Sequence, residues 1–452
     1  MVILGAARQG LALARFLARR GALVTLSDRQ PAEQMGEALQ TMAGLPIHWV
    51  LGGHPFEMLD GADLLCLSGG VPLEQPIVAE ARRRGIPLSN DSQIFMEAVP
   101  SKVIAITGSA GKTTTTTLVG RMAEAAVIPP QSAWVGGNIG LPLIDHLEEI
   151  KPIDLVVLEL SSFQLELMTT SPAVAAILNI TPNHLDRHGT MQAYTAAKAR
   201  ILAFQGQKDV AVLGREDAGA WLLAPQVKGR LVSFGFDQPP ADQSGSFVQD
   251  GFVCFQNGGH SHKLASLGLV TLRGRHNLLN VLAAAAISAA SNFPPAAIQA
   301  GIKGFAGVAH RLELVQQLHG IAWYNDSIAT APERTIAAIQ SFEEPIVLLL
   351  GGRDKNLPWE DLAQLVHARV DHVIVFGEAR PKILQALGPQ QSGRRPFTLS
   401  NCQTLQEAVQ AAAEVAEPGD VVLLSPGGTS FDQFKDFEER GECFRLWVKQ
   451  LS

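Results

Sequence analysis

Apolar runs alternate with amphipathic helical segments along most of this chain. The first residues, MVILG, lead through a glycine turn into the helical pattern RQGLALARFLARRG and then into the apolar run ALVTLSD. A strand, a helix and a strand in this order predict a βαβ unit. The pattern continues with strand-like runs at 62–70 and 86–90, separated by a helix.

A second block begins with the strand-like run 103–107 and continues with 154–160 and 172–180. Continuous apolar runs of this kind are typical of buried parallel strands. Residues 210–272 are different, because short strand-like pieces alternate with many Gly, Ser and Gln residues. We expect these pieces to be antiparallel additions to the same domain, followed by a helix over 277–290.

A third block repeats the rhythm with apolar runs at 321–327, 345–352, 372–378 and 420–428. With 452 residues and roughly one domain per 150 residues, the chain has room for three domains. The pattern therefore predicts an α/β fold in three domains, at 1–97, 98–307 and 308–452.

The composition of the chain argues against several classes of partner and site. The net charge of −7 and the lack of basic patches argue against nucleic acid or a membrane surface. The four cysteines, Cys66, Cys254, Cys402 and Cys443, have no metal-site or disulfide spacing. The alanine-rich run 281–290 is too short to span a bilayer. We expect a soluble, cytoplasmic protein.

The segment KVIAITGSAGKTTTTT at 102–117 carries the clearest chemistry. An apolar strand runs into a turn framed by Gly108 and Gly111, and Lys112 and Thr113 follow. Backbone N–H groups, a helix N-terminus and a lysine suit a phosphate chain, and the threonine hydroxyl suits Mg²⁺. Ile106 stands where the strict motif has its first glycine. The alternative is an ordinary strand-turn-helix connection with an exposed lysine.

Polar residues close the apolar runs of the second block, at the sheet edge where ligands gather in open α/β folds. Glu159 ends one run and is placed as a Mg²⁺ ligand would be, although it could instead cap a helix at Ser161. His184 could be a ligand or an ordinary loop histidine. Lys198, judged from its helix alone, reads as a solvated lysine.

The outer blocks give weaker signals. The turn GAARQG has Ala7 where a dinucleotide fingerprint needs its middle glycine, which argues against NAD. The turn and Asp28 could still hold a nucleotide diphosphate, or could be purely structural. In the third block, Asp326–Ser327, 351–355 and 425–431 follow apolar runs and could face one cleft or be solvated loops.

Taken together, the motifs resemble the Mur ligase family, the ATP-dependent amino-acid ligases of peptidoglycan synthesis. The resemblance covers essentially the whole chain and rests on TGSAGKTTT, VGGNIGLP, LELSSFQLE, LNITPNHLDRHGT, AAKARI, GRHNLLN, HRLE, YNDSIAT and GGRDK. Within the family, LELSSFQLE with NITPNHLDRHG is most similar to members that add D-glutamate. The resemblance implies Rossmann-like N-terminal and C-terminal domains around a central P-loop ATPase-like domain.

The resemblance also implies roles for individual positions. Catalytic roles fall on Lys112, His184 and Lys198, and Lys198 would be carbamylated. Two magnesium sites would use Thr113, Glu159, His184 and Lys198. ATP would contact Gly108, Ser109, Ala110, Gly111, Lys112, Thr113, Thr114, Asn277, Asn280, Arg311 and Asp326. The UDP-substrate would contact Arg8, Gln9, Asp28, Arg29, Ser68, Gly70 and Asn138, and D-glutamate would contact Thr330, Lys355, Ser425 and Phe431.

The implied reaction joins D-glutamate to UDP-N-acetylmuramoyl-L-alanine through an acyl phosphate, in a protein expected to be a monomer. Two positions depart from the family pattern: Ile328 where a lysine is common and Ala110 where an asparagine is common. With Ile328 at this position, a cationic contact near the amino-acid end is either missing or supplied elsewhere. Two rivals stay open, namely a P-loop ATPase switch with a protein partner and a nicotinamide-dependent dehydrogenase.

Overall fold

The computed structural model describes residues 1–138, 140, 142–390 and 393–451. Within them, the strands form three sheets of five, nine and six strands. The chain divides into two compact units, one of residues 1–271 with 275–305 and one of residues 272–274 with 306–452. The predicted α/β fold is confirmed, and the three domains with their boundaries stay a prediction. No helix in the described part of the chain is both long and apolar enough to cross a membrane.

The first sheet is entirely parallel, in the order β3-β2-β1-β4-β5. Its strands are β1 (Val2–Leu4), β2 (Val24–Asp28), β3 (Ile47–Leu51), β4 (Leu65–Leu67) and β5 (Leu88–Ser89). Its helices are α1 (Arg8–Arg19), α2 (Gly36–Thr41), α3 (Pro76–Arg83) and α4 (Asp91–Ala98). α1 forms because its apolar residues recur on one face, which is buried, while its arginines stay on the other.

The second sheet has the order β14-β13-β12-β11-β10-β9-β6-β8-β7. Its strands are β6 (Lys102–Thr107), β7 (Ala133–Gly137), β8 (Leu155–Glu159), β9 (Val174–Ile177), β10 (Val210–Gly214), β11 (Arg230–Phe234), β12 (Ser244–Gln249), β13 (Phe252–Asn257) and β14 (His260–Ser266). Its helices are α5 (Lys112–Ala126), α6 (Ser162–Leu165), α7 (Leu185–His188), α8 (Met191–Ala203), α9 (Ala218–Trp221), α10 (Arg275–Ala290) and α11 (Pro295–Ile302).

The prediction of antiparallel additions over 210–272 was correct only for the end of that stretch. β10, β11 and β12 continue the parallel sheet, and only β13 and β14 pair antiparallel. The apolar runs of β10 and β11 are covered by α10, whose residues are buried on most faces. The helix that covers them comes later in the chain, so the βαβ spacing that signals a parallel pair is missing locally.

One continuous core joins the first two sheets. It includes Ile3 and Phe16 from the first sheet's layer, Phe95 from α4, and Val156 and Ile177 from the second sheet. α4 also carries buried polar contacts, because Asn90 Nδ2 donates to Gln164 O at 2.7 Å. The strand ends of both sheets are therefore held in a fixed relation within the first unit.

The third sheet has the order β15-β16-β20-β17-β18-β19 and is parallel except for β15. Its strands are β15 (Glu313–Leu318), β16 (Ile321–Asn325), β17 (Ile346–Gly351), β18 (His372–Phe376), β19 (Thr398–Asn401) and β20 (Val421–Gly427). Its helices are α12 (Pro332–Ile339), α13 (Glu360–Arg369), α14 (Arg380–Leu387), α15 (Leu405–Val415) and α16 (Phe437–Lys449). Separate apolar cores cover its two faces.

Candidate active site

Residues 108–111 connect β6 to α5 and form the loop that the sequence predicts to bind phosphate, called here the phosphate-type loop. The loop turns at Gly111, whose φ of 80° lies in the left-handed region that favours glycine. A Cβ added at Gly111 would lie 2.2 Å from Asn280 Oδ1, so the space is closed to larger residues. Lys112 starts α5, and its Nζ donates to Gly108 O at 2.9 Å. The loop therefore presents a helix N-terminus and a lysine at one place, as anion binding requires.

Residues from the segment after β9 and from α8 hold this loop. Asn179 accepts from Ala110 N at 2.8 Å and donates to Ala110 O at 3.1 Å, which fixes the peptide at the tip. Ser109 Oγ donates to Thr181 O at 2.9 Å and accepts from Tyr194 OH at 3.1 Å. The site residues predicted from the sequence did not include Tyr194, because only the tertiary fold brings it to the loop, and they did not include Asn179, although it lies at the end of a predicted strand.

Glu159 lies at the end of β8, in register with Ile106 of β6. The residue is buried, and its Oε1 accepts from Asn138 Nδ2 at 2.9 Å. Its Oε2 is buried and has no hydrogen-bond partner among the described residues. A buried carboxylate oxygen without a partner is costly, and a cation beside it would remove the cost.

Lys198 is buried, which corrects the expectation from its helix alone of a solvated lysine. Its Nζ donates to Gly108 O at 2.9 Å and lies 4.8 Å from the centre of the Tyr194 ring. Burial, and next the positive charge of Lys112, lower the pKa of Lys198 to about 6, against the opposing effect of Glu159. An amine with this pKa is mostly uncharged at neutral pH.

His184 precedes α7 in a left-handed conformation, with φ of 53°. Its ring packs edge-on against Phe163, 5.2 Å away, and Phe163 also stacks on His188 at 5.1 Å. His188 in turn contacts Ser162 Oγ at 2.9 Å and Glu166 Oε1 at 3.0 Å. Phe163, close after Glu159 in the chain, thus links the Glu159 strand end to the loop that carries His184.

The residues expected to contact the UDP-substrate lie at the carboxyl ends of β1, β2 and β4 and after β7. Asp28 Oδ2 accepts from Ala6 N at 2.7 Å, and Ser68 Oγ donates to Gly5 O at 2.9 Å, so both support the first turn. Gln9 Nε2 donates to Gly137 O at 2.6 Å. Asn138 follows Gly137 and contacts Glu159. The residues at the strand ends of the first sheet therefore lie next to those at the strand ends of the second sheet.

The other residues expected to contact the UDP-substrate lie around the turn between β1 and α1. Arg8 is the first residue of α1 and is exposed, and Arg29 follows β2 and hydrogen-bonds Gln75. Gly70 accepts, at 3.5 Å, from Arg187, which lies over the Phe163 ring. The loop that carries His184 is therefore in contact with the first sheet's strand ends.

The nucleotide residues expected on α10 lie beside the phosphate-type loop. Asn280 Nδ2 donates to Asn277 Oδ1 at 3.1 Å, and Asn280 faces Gly111. Thr113 and Thr114 are in the first turn of α5. The other two, Arg311 and Asp326, belong to the second unit.

In the second unit, Asp326 is buried directly after β16, and its Oδ2 accepts from Ser425 Oγ at 2.8 Å. Burial raises the pKa of Asp326 to about 7, although hydrogen bonds from Ser425 and Leu312 and the charge of Arg311 oppose this. Ser425 is fully buried, which limits it to supporting Asp326 in this conformation. Lys355 Nζ donates to Thr330 Oγ1 at 3.3 Å, and Phe431 is 60% exposed.

A buried arginine, which the sequence analysis did not identify, ties these loops together. Arg440 of α16 donates to Ser327 Oγ at 2.9 Å, to Ser327 O at 2.7 Å and to Gly428 O at 3.1 Å. Burial lowers its pKa to about 10, but the guanidinium keeps its charge at neutral pH. Arg440 thereby fixes the loop after β16 against the loop after β20.

The residues present suit a magnesium nucleotide. Among the described residues, no three His, Cys, Asp or Glu side chains cluster as a metal site. The unpartnered oxygen of Glu159 and the Thr113 hydroxyl are hard oxygen donors, the kind that Mg²⁺ prefers together with phosphate oxygens.

Comparisons with known proteins agree with this architecture. The family model "Mur ligase middle domain" matches residues 106–288, "Mur ligase, glutamate ligase domain" matches 310–428, and "Mur ligase MurD-like, N-terminal domain" matches 1–90. UDP-N-acetylmuramoylalanine--D-glutamate ligase of Symbiobacterium thermophilum is 40% identical, over 100% of this chain and 98% of its own. The protein of the same name from Pelotomaculum thermopropionicum is 39% identical, over 100% and 97%.

Solved structures support the fold. MurC, a UDP-N-acetylmuramate-alanine ligase from Thermotoga maritima, aligns with a TM-score of 0.57 at 20% identity, over 100% of this chain and 99% of that chain. MurF from Acinetobacter baumannii aligns with a TM-score of 0.55 at 22% identity, over 78% of each. Sequence similarity over the full length, together with these folds, shows that the chain belongs to the Mur ligase family.

Proposed function

We propose that this protein joins D-glutamate to UDP-N-acetylmuramoyl-L-alanine with the energy of ATP, in cytoplasmic peptidoglycan precursor synthesis. The observation that carries the proposal is the identity of 37–40% over the whole chain with relatives named UDP-N-acetylmuramoylalanine--D-glutamate ligase. The phosphate-type loop beside a buried glutamate supports the ATP-dependent part of the reaction. We expect the protein to act as a monomer.

The chemistry requires activation of a carboxylate. The L-alanine carboxylate oxygen of the substrate attacks the γ-phosphorus of ATP, ADP leaves, and an acyl phosphate forms. The amine of D-glutamate then attacks the acyl carbon, inorganic phosphate leaves from the tetrahedral intermediate, and the amine loses a proton. Lys112 and the N-terminus of α5 stabilise negative charge on the transferring phosphoryl group, and Gly108–Thr114 position it.

Magnesium would be held by Glu159, Thr113, His184 and a carbamylated Lys198, in two sites. When bound, the metal offsets phosphate charge and orients the transferring group. Asn138 orients Glu159 through a 2.9 Å hydrogen bond and leaves the other carboxylate oxygen available. Phe163 holds the ring of His184 edge-on.

The environment of Lys198 suits carbamylation. Because burial lowers its pKa to about 6, the amine is mostly uncharged and can attack CO₂, forming an N–C bond and releasing a proton to solvent. The product is an anion where the amine could at most be a cation. Its position beside Gly108 would then let it bind metal near the phosphate chain.

Substrate contacts complete the proposal. The UDP-substrate would lie along Arg8, Gln9, Asp28, Arg29, Ser68, Gly70 and Asn138. The adenosine part of ATP would contact Asn277, Asn280, Arg311 and Asp326. D-Glutamate would contact Thr330, Lys355 and Phe431, with Ser425 holding Asp326 in place.

The test is phosphate release by the purified protein with ATP, Mg²⁺ and UDP-N-acetylmuramoyl-L-alanine, with and without D-glutamate. We expect sustained turnover only with both acceptors, and formation of the UDP-linked dipeptide by mass spectrometry. ATP turnover that ignores both acceptors would favour the rival ATPase and contradict the proposal. Lys112→Ala should abolish turnover, whereas Lys151→Ala, which removes an exposed lysine, should not.

A further inference from the structure

Two cations without a carboxylate partner lie around Thr330 in the second unit. Lys355 Nζ donates to Thr330 Oγ1 at 3.3 Å, and Arg334 Nη1 donates to Ile328 O at 3.2 Å. Both side chains are exposed. Among the residues that the structure describes, neither forms an ion pair with a carboxylate.

The two charges act on each other. Partial desolvation of the amine, and next the positive charge of Arg334, lower the pKa of Lys355, while the neighbouring Glu333 opposes this. The two like charges repel each other, and an anion bound between them would remove that repulsion. Their arrangement is therefore typical of a site for an anionic ligand.

The position of Arg334 in its helix points the same way. Arg334 lies in the first turn of α12, whose N-cap residue Ala331 provides no side-chain cap. A cation is unfavourable at this end of a helix because it faces the positive end of the helix dipole. Glu333, in the same turn, offsets part of this unfavourable interaction, and a negative ligand beside the guanidinium would offset more of it.

The amino-acid substrate of the proposed reaction is an anion that could bind beside Arg334 and Lys355. A dicarboxylic amino acid carries two carboxylates and one ammonium group, so one lysine can neutralise only one of its carboxylates. Ile328, on the same loop, is apolar and supplies no charge. Arg334 provides a planar donor that suits a carboxylate.

We propose that Arg334 is a specificity-determining residue that binds one carboxylate of the incoming amino acid, beside Lys355 and Thr330. This inference rests on the proposed function, because it concerns the D-glutamate site of that reaction. Arg334 does not take part in the chemical step. Its removal should weaken D-glutamate binding and leave the nucleotide substrates unaffected.

The experiment measures KM for each of the three substrates in Arg334→Gln, Arg334→Lys and the wild-type protein. Arg334→Gln should raise KM for D-glutamate by about tenfold, the effect of losing one charge-assisted hydrogen bond. KM for ATP and for the UDP-substrate should stay the same. Arg334→Lys keeps the charge and should recover part of the loss.

Lys449→Gln is the matched control, since it removes an exposed positive charge at the end of α16. This control should leave KM for D-glutamate unchanged. A general structural defect in Arg334→Gln would change all three KM values together and would overturn the assignment, as would an unchanged KM for D-glutamate. A wild-type protein without D-glutamate dependence would instead contradict the proposed function itself, and the inference with it.

Discussion

Burial gives Lys198 a different chemistry from that of a surface lysine. Lys198→Ala removes the amine that lies 2.9 Å from Gly108 O and, with it, the proposed carbamate. We expect turnover to fall by roughly 100-fold, the upper end for groups that orient metal sites. A short carboxylate such as acetate, added to the assay, should restore part of the activity because it can occupy the place of the carbamate.

Lys208→Ala is the control for Lys198, since Lys208 is an exposed lysine in the loop after α8. It should keep wild-type turnover and show no response to acetate. Full activity of Lys198→Ala without acetate would remove Lys198 from the site.

The sequence indicated the residues that stand in local patterns. Lys112 and Thr113 follow a glycine turn, and Glu159 ends an apolar run, so spacing alone suggested phosphate and magnesium. Local pattern failed for Lys198, because burial of one helix face depends on what packs against it. The hydrogen bonds of Arg440 could not be predicted from local sequence either, since its partners Ser327 and Gly428 are distant in the chain.

At the level of elements, the N-terminus of α4 contains a buried carboxylate. Asp91 is the first residue of the helix, and its Oδ1 has no hydrogen-bond partner among the described residues. Burial raises the pKa of Asp91 to about 6, above its ordinary value of 3.8. The folded state therefore binds a proton that the unfolded state releases, and the contribution of Asp91 to the free energy of unfolding decreases as pH rises from about 4 to about 6.

Asp91→Asn removes this titration. The melting temperature of Asp91→Asn relative to wild type should rise between pH 4 and pH 6 and stay constant above, with a stability difference of at most about 3 kcal/mol. Asp63→Asn, at an exposed position before β4, should show no such trend. A melting-temperature difference that is flat across this pH range would show that Asp91 is ionised in the folded state throughout.

The elements themselves were predictable where apolar runs are long and bounded by turns. β17, with the sequence IVLLLG, and the helix α10 agree closely with the expectation. β3, β7 and β19 were missed, because their residues are only partly buried and their apolar runs are short or mixed. The pairing of β11 with β12 was also unpredictable, since register depends on the sheet that receives a strand.

At the scale of the whole molecule, the second unit has its own sheet with a core on each face. We expect residues 306–452, expressed alone, to fold and to melt in one cooperative transition, as followed by circular dichroism. The fragment lacks Arg273, whose guanidinium lies 5.7 Å from the Tyr324 ring and 5.9 Å from the Phe342 ring. Its loss should cost about 0.5–1 kcal/mol.

A fragment of residues 272–452 is the control, because it retains Arg273 and its ion pair with Glu344. It should melt at a higher temperature than the shorter fragment. Absence of a cooperative transition in both fragments would show that this part of the chain depends on the rest for its fold.

The closeness of Gly111 to Asn280 has a consequence for anyone who wishes to re-engineer the nucleotide specificity of this enzyme. A side chain at 111 meets the Asn280 amide at 2.2 Å, and shortening Asn280 relieves only the collision, because φ of 80° still disfavours other residues. Libraries that randomise position 111 alone would therefore yield mostly inactive clones. A successful redesign must vary α10 and the loop backbone in concert.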